Sequence, residues 1–485
     1  MRRISGLVCI TVSVLLAAGC GRNERPPQAA IETHADTLLG EILTDNYAWL
    51  RDETRSEPRV LAYLEAENEY AAGVMEHTRG LQAELYDEMV ARIKETDQSV
   101  PVKRDDYYYY TRLEKGGQYD IYCRKHGSLD APEEVLLDVN KLAEGLDYMD
   151  VGVFEVSPDH RTLALAVDSL GNERYRLSFM DIDSRRMYPG TIDSVATSLA
   201  WANDSRTVYY VRTNEAWRAD KVFRHEVGGP PDGDALVYDE TDEAFDVAVR
   251  KSRSRKYIFL NSTSESSSEY RFLDADDPAA GPRMVEKRRP DIEYDVYHHG
   301  PDFYIVTNDD ALNFRLMRAP VKRPSRAGWT EVIGARDSVK LDGLDVFRDY
   351  IVLYEREDGL RQIGIYDAAD GTLKRVGFPE PVYSVYPGEN DEYVTDMLRF
   401  EYESLVTPVS VYDYNMKTGE RMLRKQDEVA GYDPAQYECR RILIAAGDGA
   451  SVPVSLVWRK GALDGGPAPL YLLGYGAYGI SMDPY

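Results

Sequence analysis

The amino-acid sequence predicts a mainly β protein: a seven-bladed β-propeller, preceded by an N-terminal helical segment and followed by the first strands of a second sheet of α/β type. Three observations carry this expectation. Tyrosine dominates the aromatic residues, with 36 Tyr against 11 Phe and 5 Trp, and Tyr suits the pleated, half-buried surface of a strand. A unit of strand, polar turn and strand recurs at a spacing of roughly 45–50 residues, in the range of a propeller blade. Near Pro434 the texture changes, and Leu470–Leu473 is apolar on both sides, as a covered central strand is. At 485 residues the chain exceeds one ordinary core and should divide into two or three domains. Its 43% hydrophobic and 29% charged residues place it among globular rather than disordered sequences.

Residues 1–20 read as an export signal rather than as fold. Arg2 and Arg3 give a basic start, an apolar run follows, and small residues precede Cys20. The run is short for a spanning helix, which needs about 20 apolar residues. Leu16-Ala17-Ala18-Gly19-Cys20 resembles a bacterial lipoprotein signal. That resemblance implies a lipidated Cys20 as the mature N-terminus and a membrane anchor in the cell envelope, on the periplasmic side. The alternative is an ordinary signal peptide with Cys20 incidental. Residues 21–33, with Pro26-Pro27, read as a tether.

Residues 34–98 form the helical segment. Ser56 is placed to cap and Pro58 suits a first turn. Val60, Leu61 and Leu64 begin an apolar stripe; after Thr78 a second helix carries Leu81, Leu85, Met89 and Ile93 at four-residue spacing.

Residues 99–433 form the propeller. Tyr107–Thr111 and Tyr119–Arg124 flank Lys115-Gly116-Gly117 as a hairpin. The repeat then runs Val153–Val156 to Leu163–Val167, Leu199–Trp201 to Val208–Val211, Phe245–Val249 to Tyr257–Leu260, Tyr294–Tyr297 to Phe303–Val306, and Leu344–Phe347 to Tyr350–Tyr354. Polar turns such as Ser157-Pro158-Asp159-His160 join the pairs. With the opening hairpin and a last unit near Met397–Tyr402 this makes about seven units, and radial repetition of such sheets is a propeller.

Residues 434–485 begin the second sheet. Cys439–Ala445 and Val452–Trp458 flank Gly447-Asp448-Gly449 as a hairpin, and Gly461–Pro469 connects it to Leu470–Leu473. The glycine-rich Gly474-Tyr475-Gly476-Ala477-Tyr478-Gly479 follows. It lacks the Lys-Ser/Thr of a phosphate-binding loop. Its glycines instead let backbone amides and tyrosines approach a reacting group closely.

The net charge of −26 repels phosphate backbones, so nucleic acid is not an expected partner, while cationic ligands are favoured. The alternative is that the acidity only keeps the protein soluble. No metal or other cofactor is expected. His298 and His299 are adjacent strand residues that face opposite sides, and Asp274, Asp276 and Asp277 lack the Gly and Glu of a calcium loop. Cys123 and Cys439 are too few and too far apart for a disulfide framework. They could pair in an oxidising compartment or remain as buried free thiols.

Asp45-Asn46-Tyr47-Ala48-Trp49-Leu50-Arg51-Asp52 resembles the entry motif of the prolyl oligopeptidase family. Ala62–Asn68, Tyr107–Thr111, Gly127–Glu134 and Tyr475–Pro484 resemble its oligopeptidase B branch. The resemblance runs from about residue 30 to the end of the chain. It implies serine peptidases in which a propeller caps an α/β-hydrolase domain and restricts entry to short peptides, cleaved after Arg or Lys in that branch. By the same resemblance Tyr475 is the oxyanion-hole tyrosine, and Asp483 helps to bind basic substrate side chains. The other readings are a tyrosine packing at a strand end and a turn residue before Pro484.

No Gly-x-Ser-x-Gly elbow occurs in the sequence. In α/β-hydrolases the Asp and His follow the Ser in chain order. The Ser-Asp-His triad is therefore expected beyond Tyr485, in a missing C-terminal hydrolase domain that is the intramolecular partner, and residues 1–485 are expected to be inactive by themselves. Two readings compete with an exported oligopeptidase-B-like endopeptidase. One is a lipid-anchored propeller that binds a partner, with a relic hydrolase stub; the other is a proline-specific member of the same family.

Overall fold

The computed structural model describes residues 25–485, so the expected signal peptide and Cys20 lie outside the described residues. The chain divides into two compact units, one ending at Ile93 and one beginning at Lys94.

The first unit opens with a hairpin that the sequence reading missed, His34–Leu38 paired with Glu41–Asp45. Two helices follow, α1 (Pro58–Met75) and α2 (Arg79–Ala91). Pro58 occupies the first turn of α1 as expected, but the capping expectation for Ser56 fails. Asp52 does that work instead: its carboxylate accepts the backbone N–H of Glu57 at 2.7 Å and that of Thr54 at 3.0 Å. Aspartate reaches back over a short loop where the serine hydroxyl is held by Thr54 at 2.7 Å. The apolar stripes are real but largely uncovered: Leu64, Leu81, Leu85 and Met89 are exposed, and only Val60 is buried. Among the described residues no helix is long and apolar enough to cross a membrane.

The second unit is a β-propeller built from antiparallel sheets in chain order. Residues 97–138 form a five-stranded sheet and residues 150–239 a seven-stranded one. Four four-stranded sheets then cover residues 246–286, 294–333, 339–375 and 384–426. Most predicted strand pairs occupy the first two strands of their sheets, for example Asp150–Val156 with Thr162–Asp168 and Tyr294–His299 with Asp302–Thr307, whereas Leu199–Trp201 with Val208–Val211 falls on the fourth and fifth strands of the seven-stranded sheet and the opening hairpin on the third and fourth of the five-stranded one. The expectation of seven separate blades needs correction. Five sheets have the size of a single blade, and the sixth is continuous. The strand Ile192–Trp201 pairs through its first half with Tyr175–Asp181 and through its second with Thr207–Thr213. No loop interrupts it, although it is bulged, with Ser194 at φ 58° and register shifts in both pairings.

Neighbouring sheets pack face to face through apolar clusters. Phe259, Phe272, Val296 and Phe303 join one pair of sheets; Val352, Ile363, Val385 and Phe400 join another. A separate cluster, with Ala166, Leu177, Trp201 and Tyr210, lies within the seven-stranded sheet, whose two halves therefore fold against each other. The closure between the last sheet and the first is different. No apolar cluster spans it; Arg399 donates to the Pro101 carbonyl at 2.9 Å, Lys425 donates to the Gln98 carbonyl at 2.9 Å and pairs with Asp97, and Arg104 pairs with Asp391 at 2.8 Å.

After the propeller comes the hairpin Tyr437–Ala445 with Ser451–Arg459. The expected start of an α/β-hydrolase sheet goes no further than this. Leu470–Leu473 is not a strand, and Leu470 is 76% exposed. A central strand exists only through its neighbours' hydrogen bonds, and no strand among the described residues pairs with it. Cys123 is buried and Cys439 half-buried, both as free thiols.

Candidate functional site

Two places bring chemistry-bearing side chains together, at opposite ends of the propeller sheets. The first is where the C-terminal segment docks. The strands Tyr350–Glu357 and Leu360–Asp367 are joined by a two-residue turn, Asp358-Gly359, with φ of 50° and 76°. Asp-Gly favours the left-handed backbone such a hairpin needs. The turn sets the register, which places Arg356 directly opposite Arg361. Like charges in that position repel. Asp483 resolves the conflict: its carboxylate takes Arg356 at 2.5 and 3.2 Å and Arg361 at 2.7 Å, with only 6% of its side chain exposed. Burial opposes ionisation of Asp483, but the hydrogen bonds from the two guanidiniums outweigh it and hold the carboxyl below its usual range. The Ser384 hydroxyl donates to the Pro484 carbonyl at 3.3 Å, and the Arg361 guanidinium lies 4.6 Å from the centre of the Tyr386 ring.

Tyr475, the predicted oxyanion residue, precedes this clamp. It is 54% exposed and its hydroxyl makes no hydrogen bond among the described residues. Tyr478, at φ 55°, turns the chain between Tyr475 and the clamp. Both predicted site residues thus lie on one short segment, Asp483 anchored on the propeller and Tyr475 free at its side chain.

The second place is a cavity of about 590 Å³ where the first strands of successive sheets end. It is lined by Arg104, Glu155, Lys251, Arg253, Arg255 and Asp345, among others. Arg255 pairs with Asp105 at 2.6 Å, and Arg253 with Asp345 at 2.5 Å. Beside it, His298 accepts the Ser254 hydroxyl at Nδ1, 2.6 Å away, while Nε2 meets the Gly300 carbonyl at 2.8 Å. Burial pushes its pKa down to about 4. His299 points elsewhere, to the Arg348 carbonyl at 2.8 Å. Lys256 pairs with Asp274 at 3.3 Å and Asp276 at 2.5 Å. No group of three or more metal-ligating side chains is gathered among the described residues.

Sequence reasoning missed Arg356, Arg361 and the cavity residues. The arginine pair was accessible in principle, since a two-residue Asp-Gly hairpin forces residues on either side into register. The cavity was not, because it draws single residues from many sheets.

The geometry describes a β-propeller whose face carries an anchored tyrosine- and glycine-rich segment. Comparison with known proteins gives the family. Residues 26–427 match the prolyl oligopeptidase N-terminal β-propeller domain. Dipeptidyl aminopeptidase BI of Pseudoxanthomonas mexicana is 37% identical over an alignment of 508 positions, covering 100% of this chain and 70% of the relative. Protease 2 of Moraxella lacunata is 35% identical, covering 93% of this chain and 66% of the relative. Among solved structures, oligopeptidase B from Leishmania major superposes with a TM-score of 0.89 at 31% identity, over 95% of this chain and 68% of that one. The chain belongs to the prolyl oligopeptidase family. It spans about two thirds of the length of these relatives.

Proposed function

We propose that residues 1–485 are the propeller-bearing part of an oligopeptidase-B-like serine endopeptidase that cleaves short peptides after Arg or Lys, the propeller gating substrate entry. The observation that carries this reading is the docking of the Tyr475–Asp483 segment on the propeller through Arg356 and Arg361. It gives the segment bearing Tyr475 a defined anchor, which supports the oxyanion role proposed for that tyrosine. Identity to Protease 2 and to oligopeptidase B supports the branch, and a net charge of −26 suits basic substrates. In this reading sequence beyond Tyr485 supplies the Ser-Asp-His triad, and Cys20 carries a lipid anchor in the cell envelope, on the periplasmic side.

The test is an ester assay with Arg and Lys substrates. Residues 1–485 should show no turnover, whereas a protein continuing through a Ser elbow should show turnover abolished by a serine-directed inhibitor. Inhibitor-sensitive turnover by residues 1–485 would refute the assignment of roles.

A second reading is favoured by the 37% identity to dipeptidyl aminopeptidase BI: release of dipeptides from free N-termini. Substrates with free and blocked N-termini separate the two. Only the endopeptidase accepts both.

A further inference from the structure

The charges around the cavity at the ends of the first strands do not all cancel. Four pairs are satisfied internally: Arg104 with Asp391 at 2.8 Å, Arg255 with Asp105 at 2.6 Å, Arg253 with Asp345 at 2.5 Å and Arg250 with Asp295 at 2.6 Å. Two groups of opposite sign are left over. Glu155 has Arg104 at 3.8 Å, and that guanidinium is already committed to Asp391. Lys251 makes no ion pair or side-chain hydrogen bond among the described residues, although it lines the same cavity.

Both leftover groups are strained by their surroundings. Burial, with the Arg255 charge adding to it, pushes Lys251 down to about 8. Packing also pushes Glu155 up, against the pull of Arg104, although 44% of its side chain stays exposed. Both line the same cavity. A desolvated charge gains most from a direct partner.

We infer that this cavity binds a small zwitterion, a free amino acid or dipeptide, with its ammonium on Glu155 and its carboxylate on Lys251. A simple anion meets Lys251 but worsens the position of Glu155, and a simple cation does the reverse. A zwitterion meets both. The volume, about 590 Å³, lies inside the ~300–1,000 Å³ of small-molecule pockets. The site is at the other end of the sheets from the Asp483 clamp: in the Val339–Val346 strand, Asp345 pairs with Val352, whereas Val339 pairs with Glu357 next to Arg356. The inference does not rest on the peptidase reading, though peptide hydrolysis yields molecules of this class.

The test titrates residues 1–485 with dialanine, N-acetyl-dialanine and dialanine amide, read by calorimetry and thermal midpoint. Dialanine should bind and raise the midpoint, and either cap should weaken binding about tenfold or more, the loss of one charge-assisted contact. Lys251→Met should erase the preference for the free over the amidated dipeptide. Glu155→Gln should erase the preference for the free over the acetylated one. Lys251→Arg, which keeps the charge, should retain both preferences. No heat and no midpoint shift with millimolar dialanine overturns the inference, as does equal binding of the capped forms. So does unchanged selectivity in both variants. If a variant fails to fold, the cap series on the unaltered protein decides.

Discussion

Asp483 and Arg356 stand 127 positions apart in the chain and meet in a two-pronged ion pair at 2.5 and 3.2 Å. The contact explains how a segment with no sheet of its own keeps a defined place. Arg361, opposite Arg356 in the hairpin, turns the pair into a clamp, and the clamp works only while Asp483 is ionised.

Replacing Asp483 with Asn should release the segment. The two guanidiniums would face each other without an anion, at a cost of about 2–3 kcal/mol in docking. Hydrogen exchange over residues 474–485 should rise while the propeller strands stay protected. Unchanged exchange in that segment would show that the clamp does not hold it.

The same release should follow acidification. Asp483 has a depressed pKa in the folded chain, so its contribution is complete above its ordinary value of 3.8 and is lost as pH falls through the lower folded value. Segment exchange measured from pH 5 downward should increase only below about pH 3.8.

Glu240 predicts a separate acid effect inside the propeller. Burial opposes its ionisation, yet Arg288 at 2.9 Å, Ser262 and Tyr238 bring its pKa down to about 2 from 4.5. That shift corresponds to about 3 kcal/mol of stability, present above pH 4.5 and lost as pH falls towards about 2. Glu240→Gln should lower stability at pH 7 by an amount of that order and flatten the acid limb of a denaturant-midpoint profile.

The polar closure between the first and last sheets should be the weakest junction of the propeller. Lys425→Met removes the pair with Asp97 and the bond to the Gln98 carbonyl. Exchange should increase in residues 97–113 and 421–426, and 1 M salt should have the same effect in the unaltered protein, since exposed pairs are screened. Equal responses at all junctions would contradict this.

Cys123 should be chemically silent in the native state. Burial and the neighbouring Glu133 push its thiol up to about 11, leaving a thiolate fraction near a thousandth at pH 8. Alkylation of Cys123 should require denaturant; rapid labelling of the native chain would place the strand elsewhere.

Much of this architecture was legible in the residues. Periodic strand pairs located the inner two strands of most sheets, because alternating apolar residues and tight polar turns are local signals. Ile192–Trp201 was not legible as a strand shared by two groups, since only the partners on either side define it. Leu470–Leu473 looked like a central strand for its apolar content, but hydrogen-bonding neighbours decide, and its content could not supply them. Tyr475 and Asp483 came from a family resemblance, and what Asp483 touches came from the fold. Arg356 and Arg361 follow from the Asp358-Gly359 turn, while Glu155 and Lys251 share a cavity only because the sheets close around it.

The most direct test is the effect of Tyr475→Phe in a protein that carries residues 1–485 together with a hydrolase domain bearing a Ser elbow. Loss of an oxyanion donor predicts a fall in kcat of about a hundred- to a thousand-fold on an Arg ester, with KM little changed. A kcat equal to that of the unaltered enzyme would contradict it.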